Sequence, residues 1–218
     1  MRNYSYHISM SIAFLFLIIL GSCNQRKEVA LSQMLPILGE IAIHPKTKDT
    51  IFYKAPKFKL VNQENKAIEH TDFSNKIQVV DFFFTSCPTI CPVMTNNLAE
   101  VQTYFEDEEK LRIISFSIDS KNDTPEILKE YAAMHEVPTN KWSLLTGNQK
   151  QILQLAKDYK VRAFTEKSME DESDNILHDG TFVLIDTQRR IRGYYDGLDV
   201  NDTNRLINDI NVLLIESK

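Results

Sequence analysis

Three cysteines occur among 218 residues, and two of them stand four apart in Thr85-Ser86-Cys87-Pro88-Thr89-Ile90-Cys91-Pro92. An apolar run, Val79-Val80-Asp81-Phe82-Phe83-Phe84, leads into them, and a helical pattern follows. The layout presents a dithiol at a strand-to-helix turn. Two chemistries are open to it. Thiolates hold soft metal ions, with metal–sulfur distances of about 2.3 Å for zinc. A helix N-terminus also lowers a thiol's pKa and favours the nucleophilic thiolate. Residues four apart on a helix carry Cβ atoms about 5–6 Å apart, whereas a disulfide needs about 3.5–4.5 Å. A metal therefore spans the pair more easily than a bond, which requires that turn to unwind. As a structural staple the pair would do little, because it closes almost no loop.

A third ligand has to come from elsewhere, and His178 is the candidate. It stands in Ile176-Leu177-His178-Asp179-Gly180, a loop directly before a strand, and loops at strand ends line the functional face of an α/β sheet. Two thiolates and one imidazole suit Cu(I). Asp81 is the less expected residue, six positions before Cys87 in an otherwise apolar strand. A carboxylate buried there has a raised pKa and can exchange protons with a thiol. The competing reading satisfies it with a local hydroxyl or places it at the sheet edge. Met94, one turn beyond Cys91, reads as core. Asp123 reads mainly as a helix cap, with Thr124-Pro125 as the alternative start, and Asp119 as an acid that can face the site. His7, His44, His70 and His135 fall in the leader, the tether, a hairpin end and a helix end.

These side chains need a sheet to carry them. The continuous Val/Phe run at 76–85 predicts a central strand covered on both faces. Val93, Met94, Leu98, Val101 and Phe105 recur at three- and four-residue steps and predict a helix over 89–104. Pro88 and Pro92 are tolerated there because they fall before or within the first turn. Further strands are expected at 111–118, 141–145, 180–186 and 191–195, and helices after Thr124, over 148–158 and over 202–216. Residues 57–61 and 66–70 form an N-terminal β-hairpin about the turn 62–65. The acidic stretch 165–175 lacks apolar period and reads as a mobile loop. The order β–α–β–α–β–α–β–β–α implies an α/β fold, a mixed central sheet with helices on both faces.

The first 22 residues stand apart from this domain. Arg2, an apolar run over 11–20 and the small pair Gly21-Ser22 have the layout of a secretory signal. The run is short for a bilayer span of about 20 residues. Leu20-Gly21-Ser22-Cys23 resembles the bacterial lipobox, which implies cleavage before Cys23 and lipidation of its thiol. The expected division is a lipoprotein signal at 1–22, a lipid-anchored tether at 23–50 and a domain at 51–218, on the periplasmic side of the cell envelope. Only Cys87 and Cys91 then remain as thiols in an oxidising compartment. The formal charge of −5, or −6 once Arg2 is removed, gives no reason to expect nucleic acid.

Thr85-Ser86-Cys87-Pro88-Thr89-Ile90-Cys91-Pro92 resembles the T-x-C-P-x-x-C-P signature of the Sco/SenC proteins. Ser117-Ile118-Asp119 with Asp123-Thr124-Pro125-Glu126 is similar to their second signature, and Trp142-Ser143-Leu144-Leu145-Thr146-Gly147 to a third. The resemblance covers about residues 53–198. It implies a thioredoxin-like fold and a copper ion held by Cys87, Cys91 and His178. It also implies a role in maturing the binuclear copper centre of cytochrome c oxidase, whose copper-carrying subunit would be the partner. Within that family, copper delivery and reduction of a partner's cysteines are both in play, so thiol–disulfide oxidoreductase activity is the alternative. Two departures are visible: Asp119-Ser120 where Asp-Pro is usual, and Asp179-Gly180 after His178 where a small hydroxyl residue is more common. Val80-Asp81-Phe82 resembles the Val-Asp-Phe of thioredoxins and lends weight to the thiol reading. A thiol peroxidase would need an arginine beside the cysteines, and none is near in sequence.

Overall fold

A computed structural model describes residues 34–167 and 174–217. The predicted signal, Cys23 and the first part of the predicted tether lie outside the described residues. Seven strands form one mixed sheet in the order β11-β10-β5-β6-β7-β3-β4. Third in that order is the interior strand β5 (Ile77–Phe83), buried at every position. It is flanked in parallel by β6 (Leu111–Ser117), which in turn pairs in parallel with β7 (Trp142–Thr146). β10 (Thr181–Ile185) pairs antiparallel with β5, and β11 (Ile191–Asp196) antiparallel with β10. On the far side β3 (Lys59–Asn62) and β4 (Ala67–Glu69) form the predicted N-terminal hairpin, joined antiparallel to β7.

The period-2 alternation of strand side chains sorts the core into two layers. Ile77, Val79 and Phe83 of β5 face helices α1 (Ile90–Tyr104), α2 (Pro125–Met134) and α4 (Val200–Glu216). Val80 and Phe82 face α3 (Gln149–Asp158) with Phe58, Phe73 and Tyr159. The α1 and α2 crossovers share a face because β5, β6 and β7 step in one direction and parallel crossovers are right-handed. The architecture is the thioredoxin-like α/β fold expected, with helices on both faces of the sheet.

Two segments differ from the sequence reading. Residues 165–167 and 174–175 of the expected loop are strand, for β8 (Ala163–Lys167) and β9 (Asp174–His178) pair as an antiparallel ribbon, and the rest of that stretch lies outside the described residues. The expected tether of 23–50 carries structure of its own in its second part. The compact unit begins at Leu35, where Leu38 N donates to the Ile191 carbonyl at 2.8 Å. β1 (Ile41–Ile43) and β2 (Thr50–Phe52) follow as a second hairpin. Gly39 makes the entry into it, at φ 106 and with Tyr53 so close that a Cβ would lie 2.8 Å from its Cβ.

Candidate metal centre

β5 ends at Phe83, and Phe84-Thr85-Ser86 turns the chain outward. Cys87 lies in this turn, its N–H bonded to the Phe84 carbonyl at 3.3 Å, and α1 starts at Ile90. The two cysteines therefore do not share a helical face: Cys87 precedes the helix and Cys91 lies in its first turn. Both are free thiols and both are buried. His178 reaches them from the last position of β9 rather than from a loop. Its Nε2 is 3.2 Å from Cys91 Sγ. One ligand atom from each of Cys87, Cys91 and His178 lies within 4.8 Å of the others. An ion about 2.3 Å from each of three donors in a plane holds them about 4 Å apart, so this set closes on a metal with small side-chain movement.

The environment divides the roles. His178 Nδ1 is 3.0 Å from the Asp179 carbonyl; a carbonyl only accepts, so Nδ1 carries the hydrogen and the Nε2 lone pair faces the sulfurs. Burial lowers the pKa of His178 and keeps the ring neutral. At Cys87 burial opposes ionisation, yet the backbone N–H groups of Cys91 and Thr89 prevail and the thiol's pKa is lowered. Burial pushes the Cys91 thiol well up instead, assisted by the charges of Cys87 and Asp81. Cys87 is thus the more readily ionised thiol, and Cys91 the one that holds its proton more firmly.

Asp81 lies on the α1 face of β5, 3 % exposed. Ser115, its register partner on β6, donates its hydroxyl to Asp81 Oδ1. Ser115 Oγ in turn accepts from Trp142 Nε1 at 2.8 Å. Burial raises the Asp81 pKa to about 7, against that hydrogen bond. The local-hydroxyl reading and the raised pKa therefore hold together. Met94 is core, 1 % exposed. Asp119 engages Asn122 at 2.9 and 3.1 Å rather than the thiols. Asp123 is not the helix cap. Thr124 caps α2, and the fully buried Asp123 carboxylate accepts from Thr85 N at 3.0 Å, Thr85 Oγ1 at 2.5 Å and Ser117 Oγ at 2.5 Å. Tyr131, absent from the sequence reading, also borders the site. Burial raises its pKa first, then the charges of Cys91, Asp81 and Cys87, and its hydroxyl meets Thr95 Oγ1 at 2.7 Å.

Known proteins share this arrangement of elements. The family model described as SCO1/SenC matches residues 47–214. A SCO1/SenC family lipoprotein from Bacillus anthracis is 29% identical, over 79% of this chain and 99% of its own, with a TM-score of 0.66. BsSco, described as a member of the Sco family of cytochrome c oxidase assembly proteins with a disulfide switch, is 30% identical over 72% of this chain and 92% of its own, with a TM-score of 0.59. ScoI of Arabidopsis thaliana, solved with copper bound, shares the fold at 22% identity and a TM-score of 0.61, over 72% of this chain and 98% of its own.

Proposed function

The chain belongs to the SCO1/SenC family, and from that membership we propose that it binds one Cu(I) and passes it to the binuclear copper centre of cytochrome c oxidase. Cys87, Cys91 and His178 are the ligands in this reading. The observation that carries it is the convergence of two thiols and one imidazole within 4.8 Å, a soft donor set suited to Cu(I). Copper is cargo here, so a site near the surface is an asset: Cys87 sits at the rim, 8 % exposed, while Cys91 is 1 % exposed. Binding displaces the thiol protons, and His178 needs none removed because its ring is neutral. A relative described as a lipoprotein supports the reading of 1–22 as a signal and of Cys23 as the lipid attachment; in this reading the domain stands on the periplasmic side of a membrane. Titration of the reduced full chain against a chromogenic Cu(I) chelator is expected to show one tight equivalent. His178→Ala should weaken it by at least the roughly 100-fold that loss of a mere outer-shell partner can cost. Wild-type affinity in that variant would remove His178 from the site.

The unequal thiols favour a second reading, reduction of a partner's disulfide. The Cys87 thiolate attacks one sulfur of the partner and expels the other as thiolate. Cys91 then gives up its proton, to the Asp81 carboxylate directly or through a water, and attacks Cys87 Sγ. The Cys87–Cys91 disulfide forms and the partner leaves reduced. Asp81 is a catalytic base only in this reading, and the copper reading does not require it.

A further inference from the structure

Ile41, Ile43 and Ile51 are 60, 57 and 46 % exposed, and Met34 just before them 58 %. The three isoleucines belong to β1–β2, a two-stranded ribbon outside the main sheet. Ile41 and Ile43 project from one face, and Ile51, paired with Ala42, from the other. An isolated ribbon is at best marginally stable in water, and exposed apolar strands invite unwanted pairing. Yet this one is built firmly. Its turn is closed by His44 N to the Asp49 carbonyl at 2.8 Å and Thr47 N to His44 Nδ1 at 3.1 Å. Its base is held by Tyr53 N to the Glu40 carbonyl and Ala55 N to the Arg189 carbonyl.

We propose that the β1–β2 hairpin is a membrane contact, with its isoleucines entering the headgroup and upper acyl region of the bilayer. The ribbon's base rests on the β10–β11 turn, at the end of the sheet where Ile185 pairs with Gln78 near the start of β5. The cysteines follow the other end of β5. Chain entry and hairpin thus share the pole opposite the dithiol. The 33 residues before Met34 include the apolar run 11–20 and Cys23. The eleven residues 24–34 span at most about 36–40 Å when extended, so the hairpin is within reach of whatever surface holds Cys23. Lys46, Lys48 and Lys54, all exposed, outnumber Glu40 and Asp49 there, in a chain of formal charge −5, as suits anionic headgroups. Seated on this pole, the domain holds Cys87, Cys91 and His178 away from the bilayer, toward a partner that stands out from the same membrane. The inference rests on the anchor reading of residues 1–23.

The test exploits the single tryptophan, Trp142, which is 2 % exposed. The full chain is reconstituted into phosphatidylethanolamine/phosphatidylglycerol vesicles with brominated acyl chains, as wild type, Ile43→Trp and Val200→Trp. Val200, 54 % exposed at the start of α4 on the dithiol pole, is the control. The new emission of Ile43→Trp should shift to the blue and be quenched several-fold more than that of Val200→Trp, and Ile51→Trp should repeat the result from the other face. Quenching no greater than in Val200→Trp overturns the proposal. So does a blue shift without vesicles that grows with protein concentration, which would assign the face to a second copy. Failure of the chain to float with vesicles removes the anchor reading and this inference together. Cu(I) uptake by the same samples reports on the metal site separately, so loss of quenching with copper retained counts against the hairpin alone.

Discussion

Asp81 has no cationic partner among the described residues; its side chain is buried and takes its hydrogen bond from Ser115. Its pKa is raised from 3.8 to about 7, chiefly by that burial. The native state therefore binds more protons than the unfolded chain between those two values, and the stability contributed by this group falls as pH rises through that window. The full span amounts to roughly 4 kcal/mol, complete just above neutrality. Asp81→Asn should be more stable than wild type at pH 8 and lose that advantage at pH 4, in urea unfolding followed by circular dichroism. Parallel pH profiles for the two proteins would show that Asp81 is not a buried titrating acid. The same property suits it to accept a proton from Cys91 near neutral pH. Asp81→Asn thus separates the two functional readings: it should slow dithiol exchange and leave Cu(I) affinity largely unchanged, because Asp81 is not a ligand.

The turn between β5 and α1 carries Cys87, and it is fixed from a different element, the β6–α2 loop. Asp123 takes both the N–H and the hydroxyl of Thr85 while also holding Ser117 of β6. Thr85→Val removes one charge-assisted bond from the turn side, and Ser117→Ala one from the strand side. Each should cost about 1.5–3 kcal/mol, but only Thr85→Val loosens the segment that aims Cys87. Copper affinity should therefore fall more in Thr85→Val than in Ser117→Ala at similar melting temperatures; an equal fall would deny the turn a positioning role. The sequence made the elements of the main sheet legible, since β5, β6 and α1 declare themselves by apolar runs and period. It also marked Cys87, Cys91 and His178. It did not reveal the Asp123 clamp or the Asp81–Ser115 pair, because both depend on register between strands that only the folded sheet defines. The β8–β9 ribbon was missed because its acidic sequence has no apolar alternation. β1–β2 was missed because its isoleucines face outward, so no buried face imposes a pattern.

Across the whole molecule the site and the entry of the chain occupy opposite ends of the sheet, and each end has its own polar fastening. At the entry end Arg192, with a side chain 2% exposed, binds Asp186 at 3.1 Å and Glu216 at 2.9 Å. It also donates to the carbonyls of Pro36 at 2.9 Å and Leu35 at 2.5 Å, and Leu35 N returns a bond to Glu216 at 3.2 Å. One guanidinium thus ties β11, the end of α4 and the first residues of the domain. A buried pair adds little net stability, but removing one partner strands the other charges and typically costs about 3–5 kcal/mol. Asp186 retains Arg190 at 2.7 Å, which limits the damage on that side and puts the loss on Glu216 and the two carbonyls. Arg192→Met should therefore lower stability by about 3 kcal/mol. Hydrogen exchange at the Leu35 and Leu38 amides should quicken well before that of β5. Because the dithiol lies at the far end, Cu(I) affinity below the melting transition should stay at the wild-type value. Loss of copper binding in the still-folded variant would mean that the two ends are coupled through the sheet rather than independently fastened.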